Sequence, residues 1–166
     1  IICGEKSPIE IGEQLHSITK TWGKEPTLVR KDIRGFITNR IMYAMYREAI
    51  YLVENGYATV EDVDRACKND GGHWMTFCGL FRYMDLTGLK AYHSVMKDLF
   101  PELSNQKTIP KLIDKIVKNG GNGISNGVGF YTYSKDEALE WEKTFEHFSF
   151  DINKLSLKYS ERTSNF

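Results

Sequence analysis

Between Gly35 and Asn55 the chain carries a helix that is apolar on too many sides to lie at a surface. Ile37, Ile41, Ala44, Met45, Ala49 and Leu52 recur at helical spacings and line one face, while Met42, Tyr43, Tyr46 and Ile50 make a second apolar face beside it. A helix apolar on most sides is a buried central element. A helical domain is therefore predicted around this rod, with cover from the rest of the chain, from another domain or from a second copy. Arg47 and Glu48 interrupt the apolar faces and read as a narrow solvated stripe, with an internal polar partner or an interface edge as the other option.

A chain of 166 residues, 41% of them hydrophobic, has the size and composition of one soluble domain with a piece of another attached. Its 22 Lys and Arg balance 22 Asp and Glu. That neutrality supplies no basic field for nucleic acid, so no nucleic-acid partner is expected. No apolar run is long enough to cross a membrane, since Arg40, Arg47 and Glu48 cut the longest. Cys3, Cys67 and Cys78 form no C-x-x-C pair, and no secretory signal precedes them. They read as three reduced thiols in a cytoplasmic protein, with Cys67 on the inward side of its helix. The start at Ile1-Ile2-Cys3, without an initiator Met, reads as a piece of a longer protein.

Ser7, Pro8 and Glu10 predict a capped helix start, and Ile11, Leu15, Ile18 and Trp22 give that helix one apolar stripe before Gly23. A short β-prone run, Thr27-Leu28-Val29, follows with no parallel partner in view. A lone strand cannot satisfy its ladder groups, so residues 1–30 read as the trailing edge of a sheet domain. Further helices are predicted from Thr59 to a stop at Gly71-Gly72, then two over Phe81 to Leu99 broken near Thr87-Gly88, and one opened by Pro110 and closed by Gly120. A last helix is capped by Ser134 and Glu137, and the tail after Ser160 is polar.

The loop Gly120-Gly121-Asn122-Gly123-Ile124-Ser125-Asn126-Gly127 misses the G-x-G-x-x-G spacing and follows a helix, so it reads as a tight loop and not as a phosphate cradle. His16, His73, His93 and His147 are scattered, without metal-ligand spacing, and no metal is expected. Asn39 is the residue that invites chemistry. An uncharged amide near the start of a mostly apolar helix can hold a substrate hydroxyl or carbonyl oxygen while a base elsewhere moves the proton. It can equally satisfy loop backbone beside it.

The run Lys31-Asp32-Ile33-Arg34-Gly35-Phe36-Ile37-Thr38-Asn39-Arg40 resembles the K-D-x-P-G-F-I-x-N-R signature of 3-hydroxyacyl-CoA dehydrogenases. Glu48-Ala49, Gly56-Tyr57-Ala58 and Glu61-Asp62-Val63-Asp64, then Gly79-Leu80-Phe81-Arg82 with Asp85-Leu86, and Gly127-Val128-Gly129-Phe130-Tyr131, are similar to later blocks of that family in the same order. The resemblance implies a mainly α fold: a bundle like the C-terminal domain of 6-phosphogluconate dehydrogenase, preceded by a helix-strand remnant of a Rossmann domain. It implies residues 1–30 as that remnant, 31–150 as the substrate and dimerisation domain, and 151–166 as a tail. It further implies oxidation of a 3-hydroxyacyl-CoA with NAD bound by a domain outside this chain, Asn39 against the reacting part of the substrate, and a homodimer. Arg34, Leu80 and Arg82 depart from the usual Pro, Pro and Glu, which leaves room for another 3-hydroxy acid as substrate. A non-catalytic dimerisation module of the lens-crystallin kind is the rival.

Overall fold

The computed structural model describes residues 1–160; the polar tail of 161–166 lies outside them. The chain divides into two compact units, Ile1–Tyr46 and Arg47–Phe166.

In the first unit, Ile2 pairs in parallel with Val29. The Cys3 N–H donates to the Val29 carbonyl at 2.9 Å, and the Val29 N–H donates to the Ile1 carbonyl at 2.9 Å. Helix α1 (Ile9–Thr21) connects the two strand pieces. The expectation of an unpartnered strand at 27–29 is thereby corrected, because the partner is three residues long and too short to register as a β-run. Helix and bridge are packed through Gly12, where an added Cβ would collide with Cys3 Sγ and lie 3.1 Å from Leu28 Cδ1. Cys3 is the one hydrophobic side chain that is buried among the described residues. The predicted Ser7/Glu10 box does not form. Ser7 donates its N–H to Gly4 O in a preceding turn, and Pro8, which has no capping oxygen, takes the cap position. The stripe of Ile11, Leu15, Ile18 and Trp22 is exposed, Trp22 to 67%.

Helix α2 (Thr38–Glu54) starts in the first unit and ends in the second, in the window expected for the central rod. None of its residues is buried, and Tyr43 is 69% exposed. The apolar residues fall where predicted, but they are only half covered: Met42, Met45, Ala49, Ile50 and Leu52 are half-buried, while Ile37, Ile41, Tyr43, Ala44 and Tyr46 are exposed.

The second unit continues with α3 (Val60–Asn69), α4 (Gly71–Thr87), α5 (Leu89–Leu99), a single 3-10 turn (Phe100–Glu102), α6 (Lys111–Lys118) and α7 (Lys135–Ser160). Thr59 caps α3, its Oγ1 accepting the Asp62 N–H at 3.1 Å. Gly71-Gly72 opens α4 and does not merely stop α3, because Asp70 alone (φ −116°, ψ −81°) breaks the two helices. Gly79, at φ 70° and ψ −177°, kinks α4 in a conformation open to glycine, and the Trp74 and Tyr83 rings stack across the kink at 4.2 Å. Helix α4 touches α3, α5 and α7. The end of α7 is tied to α4 by Ser156 Oγ donating to Thr76 O at 3.2 Å and by the edge-on rings of Phe77 and Tyr159. The Ser134/Glu137 box forms in both directions, at 2.8 and 3.2 Å. Helix α7 runs ten residues past the boundary drawn at 150. Cys67 is exposed and not inward, since the contact of α3 with α4 leaves it outside; the three thiols are free.

Two carboxylates of α2 accept backbone N–H groups from distant segments, and one of them, Glu48, was expected on a solvated stripe. Glu48 Oε2 accepts the N–H of Ser104 at 2.7 Å, and Glu54 Oε1 accepts the N–H of Leu112 at 2.6 Å. Ser104 is itself buried. Glu48 therefore meets the internal partner of the two options, because an extended segment running beside α2 has a backbone donor that needs an acceptor.

Candidate functional site

The sequence places its one chemically suggestive amide at the start of α2, and the local backbone explains how it is held there. Phe36 closes a turn by donating its N–H to Ile33 O at 3.0 Å. The carbonyl of Ile37 accepts the first helical bond, from Ile41, so Ile37 stands in the cap position. Its side chain offers no oxygen, and the first turn goes without a side-chain cap. Asn39 lies in that first turn and is exposed. Its carboxamide makes no hydrogen bond among the described residues, so the competing role of satisfying nearby backbone is not the one it plays in this chain.

Around Asn39 the chain gathers Gly35 and Arg40. A Cβ added at Gly35 would lie 3.7 Å from Asn39 Cβ and 3.3 Å from Arg40 Cγ. Arg40 Nη1 donates to Arg34 O at 3.4 Å. Arg30, nearby in sequence, is paired with Glu13 at 2.8 Å. Shallow surface concavities lie along α7, at Leu139, Lys143 and His147, and along α1, at Glu10, Gln14 and Ile18; neither includes Asn39.

The other sequence candidates separate from one another. His16 is half-buried with Nε2 3.0 Å from Pro26 O, while His73, His93 and His147 are exposed. Among the described residues no three His, Cys, Asp or Glu side chains converge as metal ligands would. No helix among them is long and apolar enough to cross a membrane.

The glycine-rich loop is spent on itself. Asn126 Oδ1 accepts the N–H groups of Asn122 at 3.0 Å and Val128 at 3.2 Å, and Asn126 Nδ2 donates to Gly120 O at 2.7 Å. The N–H groups of Gly121 and Gly123 go to Ile116 O and Val128 O. Few donors remain to cradle a pyrophosphate, so these residues do not fit a dinucleotide. The loop closes on α3 through Tyr131, whose Oη donates to Asp64 Oδ2 at 2.8 Å. That bond to the carboxylate pushes the phenol up to about 12, with desolvation adding to it. Sequence reading missed the Tyr131–Asp64 pair; sixty-seven residues separate its members, and no local pattern links them.

The model of the 3-hydroxyacyl-CoA dehydrogenase C-terminal domain matches residues 35–133. The 5-formyl-3-hydroxy-2-methylpyridine 4-carboxylate 5-dehydrogenase of Mesorhizobium japonicum is 31% identical over 145 residues, 86% of this chain and 47% of that protein. The L-carnitine dehydrogenase of Pseudomonas putida is 32% identical over 133 residues, 78% of this chain and 41% of its own length. The 3-hydroxybutyryl-CoA dehydrogenase of Clostridioides difficile is 30% identical over 136 residues, 81% and 47% of the two chains. A crystal structure of a 5-formyl-3-hydroxy-2-methylpyridine 4-carboxylic acid 5-dehydrogenase, described as an NAD+-dependent dismutase, superposes with a TM-score of 0.87 at 28% identity over 93% of this chain and 50% of that one. The chain thus spans about half the length of the relatives it matches, or less.

Proposed function

The chain belongs to the 3-hydroxyacyl-CoA dehydrogenase family through its C-terminal helical domain, and on that premise we propose that it is the substrate-facing and dimerising part of an NAD-dependent dehydrogenase acting on a 3-hydroxyacyl-CoA. Oxidising a secondary alcohol removes a hydride from carbon and a proton from oxygen, and negative charge grows on that oxygen as the proton leaves. Asn39 Nδ2 donates to this oxygen. The carboxamide neither titrates nor competes for the proton, so it stabilises the charge without altering the acid-base step. The family resemblance assigns the proton acceptor and the nucleotide to a nucleotide-binding domain outside these residues, and the glycine loop, whose donors are largely used within it, supports that assignment. The observation that carries the reading is the unbonded carboxamide of Asn39 at the start of α2, inside the stretch that matches the family.

In the full-length protein, Asn39→Ala is to lower kcat by roughly 10²–10³, the loss for one oxyanion-type donor, with NAD affinity kept. An unchanged kcat removes Asn39 from the site. Residues 1–160 assayed alone with 3-hydroxybutyryl-CoA and NAD are to show no turnover.

A second reading of the substrate, a small hydroxylated carboxylic acid free of CoA, draws on the pyridine carboxylate dehydrogenase, which matches more of this chain than the family model does. Leu80 and Arg82, in the block that departs from the family pattern, fit that change. Competing 3-hydroxybutyryl-CoA against L-carnitine and the pyridine acid, scored by kcat/KM, separates the two.

Self-association is part of the proposal. Tyr43, Tyr46, Trp141 and Phe145 are large apolar side chains left exposed, and they support this reading.

A further inference from the structure

The turn that delivers Asn39 to α2 is a strained stretch of backbone. Gly35 has φ 86°, and Phe36 follows at φ 50°, the only non-glycine residue with positive φ among the described residues. A left-handed conformation is unfavourable for a side chain of this size and persists only where its surroundings impose it. One such restraint is the bond from the Phe36 N–H to Ile33 O. The other is Arg40, which reaches back across the turn to Arg34 O with its stem packed over Gly35. Arg40 has no ion pair among the described residues, so its cationic head is given to a backbone carbonyl. That carbonyl belongs to the loop that must be fixed if α2 is to start at a set angle.

We propose that Arg40, with the left-handed Gly35-Phe36 turn, is a positioning device for Asn39: it stands in for the absent cap and keeps the first turn of α2 aimed so that the carboxamide meets the reacting oxygen. This rests on the role assigned to Asn39 above. An unrestrained first turn frays, and a displacement of about 1 Å at a reacting group costs turnover on the order of a hundredfold. The same logic accounts for a glycine at 35, where any side chain would press on the Arg40 stem. It also explains why an aromatic residue endures the left-handed region at 36: relaxing it would swing the loop away from the helix it feeds.

The test is a double-mutant cycle in the full-length enzyme. Arg40→Met is to lower kcat about tenfold, with the KM for NAD unchanged and the melting profile cooperative. In an Asn39→Ala background the same substitution is to lower kcat less than twofold, because there is no carboxamide left to aim. Equal losses in both backgrounds overturn the positioning role while leaving Asn39 in place. If Asn39→Ala alone has no effect, it is the Asn39 reading that fails. A second pair guards against misfolding: Phe36→Gly and Phe36→Val both remove the ring, but only glycine keeps φ near 50° without cost. The valine variant is to lose at least fivefold more turnover than the glycine variant, and equal losses would show that the ring matters and the backbone conformation does not.

Discussion

Tyr131 Oη donates to Asp64 Oδ2 at 2.8 Å and so fastens the closing end of the glycine-rich loop to helix α3. The bond favours the neutral phenol, which is why Tyr131 is raised from 10.0 to about 12. The stability that follows is complete below pH 10, where the unfolded phenol is also neutral, and is lost as pH rises through 12. Among the nine tyrosines, one is therefore to ionise last in an absorbance titration at 295 nm, and Tyr131→Phe is to remove that late step. A late step that survives the substitution would reassign it.

Glu48 serves the buried N–H of Ser104 across 56 residues of chain. Glu48→Ala strands that donor and is to cost about 1–3 kcal/mol in urea unfolding, while Glu48→Gln, which still accepts, is to cost less. Equal costs for the two would mean that packing, and not the bond, is what the side chain supplies.

Gly127 and Gly56 share a left-handed backbone, at φ 79° and 74°, but not their surroundings. A Cβ at Gly127 would lie 2.5 Å from Tyr133 O, whereas one at Gly56 meets nothing within 4 Å. Gly56→Ala is to cost about 1–2 kcal/mol, from conformation alone. Gly127→Ala is to cost clearly more, since backbone must move. Thermal unfolding of the two variants side by side decides it.

The exposed faces of α2 and α7 predict that folding and association are coupled. For a dimer with no stable monomer, apparent stability is to fall by about 1.4 kcal/mol of dimer for each tenfold dilution. Sedimentation combined with unfolding at two concentrations checks this, and a concentration-independent transition in a monomeric sample contradicts it.

Much of the helical plan was legible because it is written in local chemistry. Ser134 before Glu137 is a capping pair three residues apart and forms as read, and Thr59, where a helix start was expected, caps α3 by accepting the Asp62 N–H. Ser7 and Glu10 have the same spacing and do not, because Pro8 moves the cap one residue along. The family signature around Asn39 was equally visible, since it is a contiguous string.

The amino-acid order by itself settled most of the helix positions, α4 from Gly71 to Phe81 excepted, together with the amide that heads the central helix and the family the chain resembles, because periodicity, caps and motifs act over a few residues. Only the tertiary structure decided that Ile2 pairs with Val29, that Glu48 reaches Ser104, that Tyr131 reaches Asp64, and that Cys67 and the Ile41, Tyr43 and Tyr46 side chains of α2 stand exposed. Those outcomes depend on which distant segments meet, and a hydrogen bond between segments far apart in sequence leaves no periodic trace in either partner's neighbourhood.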